Sequence, residues 1–414
     1  MSLGAQRARV LQAIEDLPPL NEVARHLIGL LGDDRVSARD LDRVIRNDQA
    51  VTARVLRMAN SSVFGKSRRI ASLTDAVILL GDGRLSDLVL GISAFDAVGA
   101  DGADAFAEAA WDHSIDCAAA ARAVAGLTES VSPDTAFVAG LMHDIGLLVM
   151  MRAAPAEMAA VLNGDPADPL AAERRLLGLN HPQVGQRMLE KWHLPTALCE
   201  SVRLHHAPDR KFTATNPLVN QVALADLLTA VDDRSLYPTG ARQDLFALLR
   251  ACGVTAERLA GLFDALEDSR AEAARLLAVV RGGGAPGAAP AATAPSAAPS
   301  PSLAPSPVFA VWAADDLRRA WYEGVLVHLG ARVETLDALG AGAPADWLLA
   351  DLHGCPPDTR ARLARLAATA GAVPVTTATS LATEAPWRGA PTVEPLLTRR
   401  ELDRLLAGRC QPAA

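Results

Sequence analysis

The most constraining feature of this sequence is an adjacent histidine and aspartate, His143 and Asp144, inside the apolar run GLMHDIG at residues 140–146. An imidazole and a carboxylate both bind divalent cations, and burying either in an apolar run without a partner costs free energy. Similar side chains recur along the chain, and five of its nine histidines belong to one series. In chain order the series is His113, His143, Asp144, His181, His205, His206 and Asp226.

The spacing of this series predicts a metal site between helices. Successive groups of ligands lie roughly 20–40 residues apart, which one helix and one loop can cover, so successive helices can each bring a ligand to a common centre. A single histidine on an apolar helix is usually a core residue bonded to a carbonyl. The whole series instead favours a divalent metal: Fe, Mn, Zn or Mg. Asp226 supports this interpretation, because it lies in an apolar segment without a basic neighbour.

The composition predicts a largely helical protein of two or three domains. The 414 residues are rich in aliphatic side chains, and aromatic residues make up only 4%. A net charge of −8 argues against phosphate binding as the main task of the molecule. Five scattered cysteines without a CxxC motif indicate reduced thiols. We find no signal-peptide pattern and no run of about 20 apolar residues, so we expect a cytoplasmic protein without a membrane partner.

A stretch rich in alanine, proline and glycine, residues 282–307, divides the chain. It holds seven prolines and four glycines, and it has too little apolar surface to offset the entropy cost of ordering. We therefore predict a disordered linker between a body and a tail at 308–412. The body shows apolar residues at helical spacing and no alternating strand pattern. Besides helices nearer the N-terminus, we expect helices at 105–125, 134–152, 170–178, 182–192, 196–206, 216–231, 241–252 and 255–280.

The tail has a different pattern, in which strands alternate with helices. The apolar run VFAVW at 308–312 precedes a helical stretch that continues to Leu329. Three further strand candidates follow at 332–336, 346–351 and 372–377. This alternation predicts a parallel sheet and a small α/β domain.

Several segments of the body together resemble an HDOD domain, the regulatory relative of HD-type metal-dependent phosphohydrolases. They are LPPL at 17–20, NDQAVTARVLRMANS at 47–61, LTDAVILLG at 73–81, GLMHDIG at 140–146, HPQVG at 181–185, WHLP at 192–195 and the histidine pair at 205–206. The resemblance implies an N-terminal helical lobe at 8–100 and an HD-like lobe with trailing helices at 101–281. It also implies that the seven residues of the series match ligands that hold metal and activate water for phosphoester cleavage.

Two positions depart from the pattern of the related cyclic-dinucleotide phosphodiesterases. Those enzymes carry a lysine after HDIG, where this chain has Leu147, and a Gly-Tyr-Pro signature after the histidine pair, where it reads APDRK at 207–211. The expected general acid and phosphate anchor are therefore not identifiable in this sequence. We interpret the chain as a signal-transduction regulator that binds a protein or a nucleotide without catalysis. A metal-dependent phosphohydrolase of HD type is the alternative.

A cluster of basic residues suggests a second alternative, a nucleic-acid-associated regulator. Its members are Arg43, Arg46, Arg54, Arg57, Lys66, Arg68 and Arg69. No aromatic side chains are interleaved for base stacking. A solvated helix face is the preferred interpretation, and we do not expect a nucleic acid partner.

The tail resembles a phosphoacceptor receiver domain, which implies a flavodoxin-like fold. Asp315 and Asp316 follow the first strand, as an acidic pair that holds magnesium would, and Asp351 stands where the phosphorylated aspartate would be. However, Glu394 replaces the expected lysine, and the acidic pair is displaced by two alanines. We therefore predict a degenerate receiver that serves for docking.

Overall fold

The structure is a computed structural model of the chain. It describes residues 2–24, isolated positions between 45 and 98, and residues 105–163, 168–206, 216–232, 234–236, 245–259, 261–280, 307–313, 315–336, 345–351, 355, 357–370, 372–376, 397 and 399–408. The basic cluster from Arg43 to Arg69, the segment 207–211, Glu394 and the predicted linker up to residue 306 lie outside these residues. The chain folds into two compact units.

The first unit comprises Met1–Thr229, Arg234–Gln243 and Leu266–Ala291. Before residue 307 no described residue lies in a strand, so the prediction of a helical body is confirmed. Its helices are α1 (Leu3–Glu15), α2 (Ala105–Thr128), α3 (Pro133–Met142), α4 (Ile145–Ala153), α5 (Pro155–Leu162), α6 (Pro169–Leu177), α7 (His181–Lys191), α8 (Thr196–Leu204) and α9 (Pro217–Val231).

Local capping chemistry fixes where several of these helices begin. Asp168 accepts a hydrogen bond from the backbone N–H of Ala171 at the start of α6. Asn180 forms a capping box with Gln183, which defines the first turn of α7. Prolines in the first turns of α3, α5, α6 and α7 cost no hydrogen bond there, because those N–H groups have no partner inside the helix.

The predicted helix at 134–152 is in fact two helices, α3 and α4, separated by His143 and Asp144. Asp144 has φ −102° and ψ 9°, which interrupts the helical path between them. Contrary to our expectation, the stretch Pro133–Ala153 is long and apolar enough to span a bilayer, but 83% of its most apolar window is buried inside the fold. It forms the core of the helical unit.

Glycines allow the close helix packing around this break. A Cβ on Gly146 of α4 would collide with the backbone oxygen of His181 and would lie 2.7 Å from the backbone nitrogen of Gly185. A Cβ on Gly140 of α3 would lie 2.8 Å from the Cα of Ala118 in α2. The α4–α7 and α2–α3 approaches therefore depend on the missing side chains.

The second unit comprises Ala230–Asp233, Asp244–Ala265 and Ala292–Ala414. Among its described residues, four strands are all parallel and lie in the order β2-β1-β3-β4. This confirms an α/β tail with a parallel sheet, whereas its receiver-like and flavodoxin-like identity stays a prediction. The elements are α10 (Leu245–Ala251), α11 (Ala256–Leu259), α12 (Leu262–Val280, shared with the first unit), β1 (Val308–Trp312), α13 (Asp316–His328), β2 (Arg332–Glu334), β3 (Trp347–Ala350), α14 (Pro357–Ala370), β4 (Val373–Thr376) and α15 (Arg399–Gly408).

One segment of the predicted body lies in the unit that contains the sheet. The helices at 244–265, which we assigned to the body, belong to the same unit as the sheet. The reason is aromatic burial: the ring of Phe246 lies 6.0 Å from that of Tyr322, and the ring of Phe263 lies 5.7 Å from that of Trp321.

Candidate metal centre

The structure brings all seven residues of the histidine and aspartate series together. His113 lies on α2, His181 is the first residue of α7, and Asp226 lies on α9. His143 and Asp144 form the break between α3 and α4, and the other two histidines follow the end of α8. Six of the seven are buried, and the side chain of His206 is 20% exposed.

Each of the four buried histidines has its Nδ1 atom bound away from the centre. His181 Nδ1 lies 2.9 Å from Oε1 of Glu173. The other three face backbone carbonyls, which only accept hydrogen bonds, so their Nδ1 atoms carry a proton. These bonds are His143 to Gly140 at 2.7 Å, His205 to Val202 at 2.7 Å and His113 to Arg234 at 3.1 Å. The Nε2 atoms are therefore left for the centre.

Asp144 lies between two pairs of these Nε2 atoms. Its Oδ1 lies 3.2 Å from Nε2 of His181 and 3.4 Å from Nε2 of His205. Its Oδ2 lies 3.5 Å from Nε2 of His113 and 3.4 Å from Nε2 of His143. Ligands held at about 2.1 Å from one cation lie roughly 3.0–3.4 Å from one another in octahedral or tetrahedral geometry. The observed spacing fits that arrangement on both sides of the carboxylate.

Asp226 and His206 complete the two sides. Asp226 Oδ1 lies 3.3 Å from Nε2 of His113 and 3.9 Å from Nε2 of His143, and its Oδ2 lies 3.7 Å from Nδ1 of His206. Two groups of possible ligands result, which share Asp144. They are His113, His143 and Asp144, and Asp144, His181, His205 and His206.

The contact between His113 and His143 tests whether these residues fit a cation. Their Nε2 atoms lie 3.2 Å apart, and both rings already donate from Nδ1. In the neutral rings two lone pairs would face each other, which is repulsive unless a proton or a cation lies between them. The buried histidine and aspartate cluster could therefore bind a divalent metal.

The electrostatics of the centre are consistent with metal ligation. Burial would raise the pKa of Asp144, but the charges of His143 and His181 hold that pKa well below its usual range. The pKa of Asp226 is also lowered, because the hydrogen bond with His113 and the charges of the surrounding histidines together outweigh burial. Burial lowers the pKa of His143 to about 4 and that of His206 well below the ordinary value. At neutral pH these groups thus have the ionised carboxylates and neutral rings that metal binding requires.

The pKa values of His181 and His113 are raised, in contrast to those of His143 and His206. Burial disfavours the charged form of His181, but the charges of Glu173 and Asp144 outweigh it and raise the pKa to about 10. The pKa of His113 is raised as well, because its hydrogen bond with Asp226 and the negative charges of Asp226 and Asp144 together outweigh burial. Without a metal, protons on these two rings would compensate part of the negative charge of the centre. A cation would take over that role.

Glu173 lies beside the candidate centre and was not predicted from the sequence. It is fully buried on α6 and accepts a hydrogen bond of 2.7 Å from the backbone N–H of His181 in addition to the ring contact. A carboxylate behind a ligating histidine fixes the ring orientation and raises its basicity. Glu173 therefore positions His181 for the centre.

The predicted acidic residues of the tail lie in a different environment. Asp351 follows β3 and is 1% exposed, and its Oδ2 accepts a hydrogen bond of 2.7 Å from Nη1 of Arg318. Asp315 caps α13 and lies 3.2 Å from Nε of the same arginine. Asp316 is exposed and pairs with Arg319. The structure thus brings two of the three aspartates to one guanidinium group.

Comparison with known proteins finds a family match for one part of the helical body. Residues 17–208 match the family model of the HDOD domain. An uncharacterised protein of Treponema pallidum (strain Nichols) is 24% identical over 226 residues, which are 53% of this chain and 43% of that protein. The chain therefore spans less than half the length of this relative.

Two solved structures share the fold. One is an HDOD domain protein with unknown function from Geobacter sulfurreducens, with a TM-score of 0.53 and 23% identity over 66% of this chain and 99% of that one. The other, from Marinobacter aquaeolei VT8, is provisionally assigned to signal transduction, with a TM-score of 0.54 and 23% identity over 68% of this chain and 66% of that one. The chain therefore contains an HDOD domain at residues 17–208.

Proposed function

We propose that this chain is a cytoplasmic signal-transduction protein whose HDOD domain holds one or two divalent cations and acts by binding a protein or a nucleotide, without hydrolysing it. The observation that carries this proposal is the burial of a full ligand set. Four imidazoles and two carboxylates surround the centre, and none of these six residues is more than 4% exposed. A catalytic metal needs an open coordination position that substrate can reach.

The position after the HDIG motif supports the absence of catalysis. Leu147 lies on α4 and is fully buried among apolar residues. It offers no ammonium group to bind a phosphate oxygen or to donate a proton. The provisional assignment of the Marinobacter relative to signal transduction supports the proposed signalling role. We propose that the α/β tail serves as a docking module within this signalling role.

A metal-dependent phosphohydrolase is the second candidate, and the shared position of Asp144 favours it. A carboxylate between two groups of histidines suits a pair of cations, and such cations lower the pKa of bound water and stabilise charge on phosphate. His206, with its side chain 20% exposed, is the ligand candidate nearest to solvent. In this alternative the protein itself would supply the seven ligands and would hold the imidazole rings of the histidines in position.

Elemental analysis of protein purified without chelator tests the metal centre. We expect about one or two equivalents of Fe, Mn, Zn or Mg per chain in the wild type and a loss of at least tenfold in Asp144→Asn, because the shared ligand loses its charge. Asp134→Asn is the matched control, since this acid lies on α3 and pairs with Arg122 at the surface. Wild-type protein with only trace metal would refute the metal centre.

Hydrolysis assays on the same preparations separate the two candidates. We expect neither cyclic dinucleotides nor a p-nitrophenyl phosphodiester to be cleaved above the buffer rate. Turnover by the wild type that disappears in Asp144→Asn and persists in Asp134→Asn would establish the phosphohydrolase and overturn the non-catalytic proposal.

A further inference from the structure

We propose that Arg318 is the built-in cation of the α/β unit. Its guanidinium group neutralises Asp315 and Asp351 where a divalent ion would otherwise bind, so that this acidic site is independent of magnesium and of phosphoryl donors. This inference concerns the second unit and is independent of the metal centre proposed for the HDOD domain.

The location of the two aspartates is one where proteins can bind magnesium. Strands β1 and β3 are parallel neighbours, and Asp315 and Asp351 follow their carboxyl ends. Carboxylates at this edge of a parallel sheet are suitable oxygen ligands for a hard cation. The resemblance to a receiver domain likewise implies magnesium here, although Glu394 and the displaced acidic pair favour a degenerate receiver.

In the structure the guanidinium of Arg318 interacts with both carboxylates. Its Nη1 donates to Oδ2 of Asp351 at 2.7 Å, and its Nε lies 3.2 Å from Oδ2 of Asp315. The other oxygen of Asp315 accepts the backbone N–H of Arg318 at 2.9 Å, which ties the arginine to the start of α13. A planar guanidinium with several donors suits this double contact better than a lysine would.

A second element holds the guanidinium in place. The ring of Phe246 on α10 lies 4.1 Å from the Cζ of Arg318, and the arginine side chain is only 14% exposed. Cation–π contact and partial burial restrict the side chain more than an ordinary surface ion pair would. Displacing it would break both carboxylate contacts and the aromatic contact.

Charge balance also opposes a further cation. Arg250 of α10 lies 3.2 Å from Asp315, so that among the described contacts two arginines face two aspartates. Adding a divalent ion to these four side chains would place two uncompensated positive charges within a few ångströms. A magnesium ion would therefore have to expel Arg318 before it could bind.

Four variants of the full chain test this inference: Arg318→Gln, Asp351→Asn, the double variant Arg318→Gln/Asp351→Asn, and Arg319→Gln as the matched control. Arg319 is the neighbouring arginine, 49% exposed and paired with Asp316. The measurements are thermal unfolding with and without Mg²⁺, and Mn²⁺ binding. The HDOD centre is the same in every variant, so differences between variants report the second unit.

We expect Mg²⁺ to shift the unfolding of the wild type, Arg319→Gln and Asp351→Asn by the same amount. Arg318→Gln should unfold earlier, because Asp351 loses its cation, and Mg²⁺ should restore part of that loss. Its Mn²⁺ affinity should exceed that of the double variant by about tenfold or more, since both carboxylates are then available. Acetyl phosphate with Mg²⁺ should leave the wild-type mass unchanged.

Two results would overturn the inference. One is a Mg²⁺ response or a phosphoryl adduct in the wild type that Asp351→Asn abolishes. The other is an Arg318→Gln variant that folds normally and binds Mn²⁺ no better than the double variant. If Arg318→Gln does not fold, the comparison of the wild type with Asp351→Asn still decides the question, because both retain the arginine.

Discussion

Each buried histidine of the candidate centre has a partner at its Nδ1 atom, and for His181 that partner is a carboxylate rather than a carbonyl. Glu173 also binds the backbone N–H of the same residue. One carboxylate thus fixes both the main chain and the ring of a ligand, and it favours electron density at the opposite nitrogen. At the residue scale, the strength of metal binding should therefore depend on a side chain outside the ligand set.

Replacing Glu173 with Gln should weaken metal binding while the fold is retained. The amide oxygen of glutamine can still accept a hydrogen bond from His181, but its negative charge is lost, and we expect the affinity to fall roughly 10–100-fold. Competition with a chromophoric chelator measures this change.

Glu190→Gln is the control for that substitution. Glu190 is exposed near the end of α7, where it accepts a hydrogen bond from Gln186, so its replacement should leave metal affinity unchanged. Equal affinities in the wild type and Glu173→Gln would show that the buried carboxylate has no influence on the centre.

The sequence revealed the seven ligand candidates but not the residues that orient them. His143, Asp144 and Asp226 were conspicuous because charged or metal-binding side chains are unusual in apolar segments. Glu173, followed directly by two arginines, has the pattern of a solvated helix face. Only its hydrogen bonds with His181 at the start of α7 show that it faces inward, and no local pattern encodes them. Arg318 was missed for the same reason.

At the scale of elements, the break between α3 and α4 places His143 and Asp144 in the core, and the approach of α4 to α7 brings His181 to them. That approach leaves no space at Gly146, where a Cβ would meet the backbone of α7. The geometry of the centre therefore depends on a residue that has no side chain.

Gly146→Ala should lower the free energy of unfolding by about 1–3 kcal/mol, because the added methyl group forces the two helices apart. It should also reduce metal content, since His181 moves with α7. Urea unfolding and elemental analysis measure the two effects.

Gly126→Ala provides the comparison on α2. Nothing lies within 4 Å of a Cβ at Gly126, so alanine there should be neutral or stabilise the helix by up to about 1 kcal/mol. If Gly146→Ala were as stable and as rich in metal as Gly126→Ala, the close approach of α4 and α7 would not position the ligands.

Most helices of the body were predictable because apolar residues recur at helical spacing, as in α7 and α8. The sequence did not reveal the interruption at His143, since neither residue of the pair is a helix breaker. Helix α5 was also not predicted, although Pro155 and Glu157 in its first turn are typical of a helix start. Short apolar helices give too few turns for a clear period.

At the scale of the whole molecule, the chain forms two units, and one segment that precedes the predicted linker lies in the unit that contains the sheet. Residues 244–265 precede that linker, yet they lie in the unit of the sheet. Composition predicts a linker there, because proline and alanine tracts cannot form a core. Composition cannot show which of the two units a helix joins. That depends on contacts such as those of Phe263 with α13, about 60 residues later in the chain.

Phe263→Ala should destabilise the second unit by about 3–5 kcal/mol, the usual cost of removing a buried aromatic ring. The ring is 7% exposed and lies 5.7 Å from that of Trp321 and 5.1 Å from that of His328. Urea unfolding followed by tryptophan fluorescence reports the change, since Trp321 is its neighbour.

Val327→Ala on α13 is the control for Phe263→Ala. Val327 is 59% exposed, so its truncation should change stability by no more than about 0.5 kcal/mol. Metal content should equal that of the wild type in both variants. A Phe263→Ala protein as stable as Val327→Ala would mean that residues 244–265 do not hold the second unit together.

His181 is the first residue of α7, and the capping box of Asn180 and the carboxylate of Glu173 both bind the main chain around it. A ligand fixed in this way cannot swing aside on its own, so an ion leaves only when the first turn of the helix unwinds. Exchange of the bound ion for an added isotope should then be slow. Its rate should follow hydrogen–deuterium exchange of the amides at the start of α7, so that the lifetime of the ion becomes a measure of local unfolding.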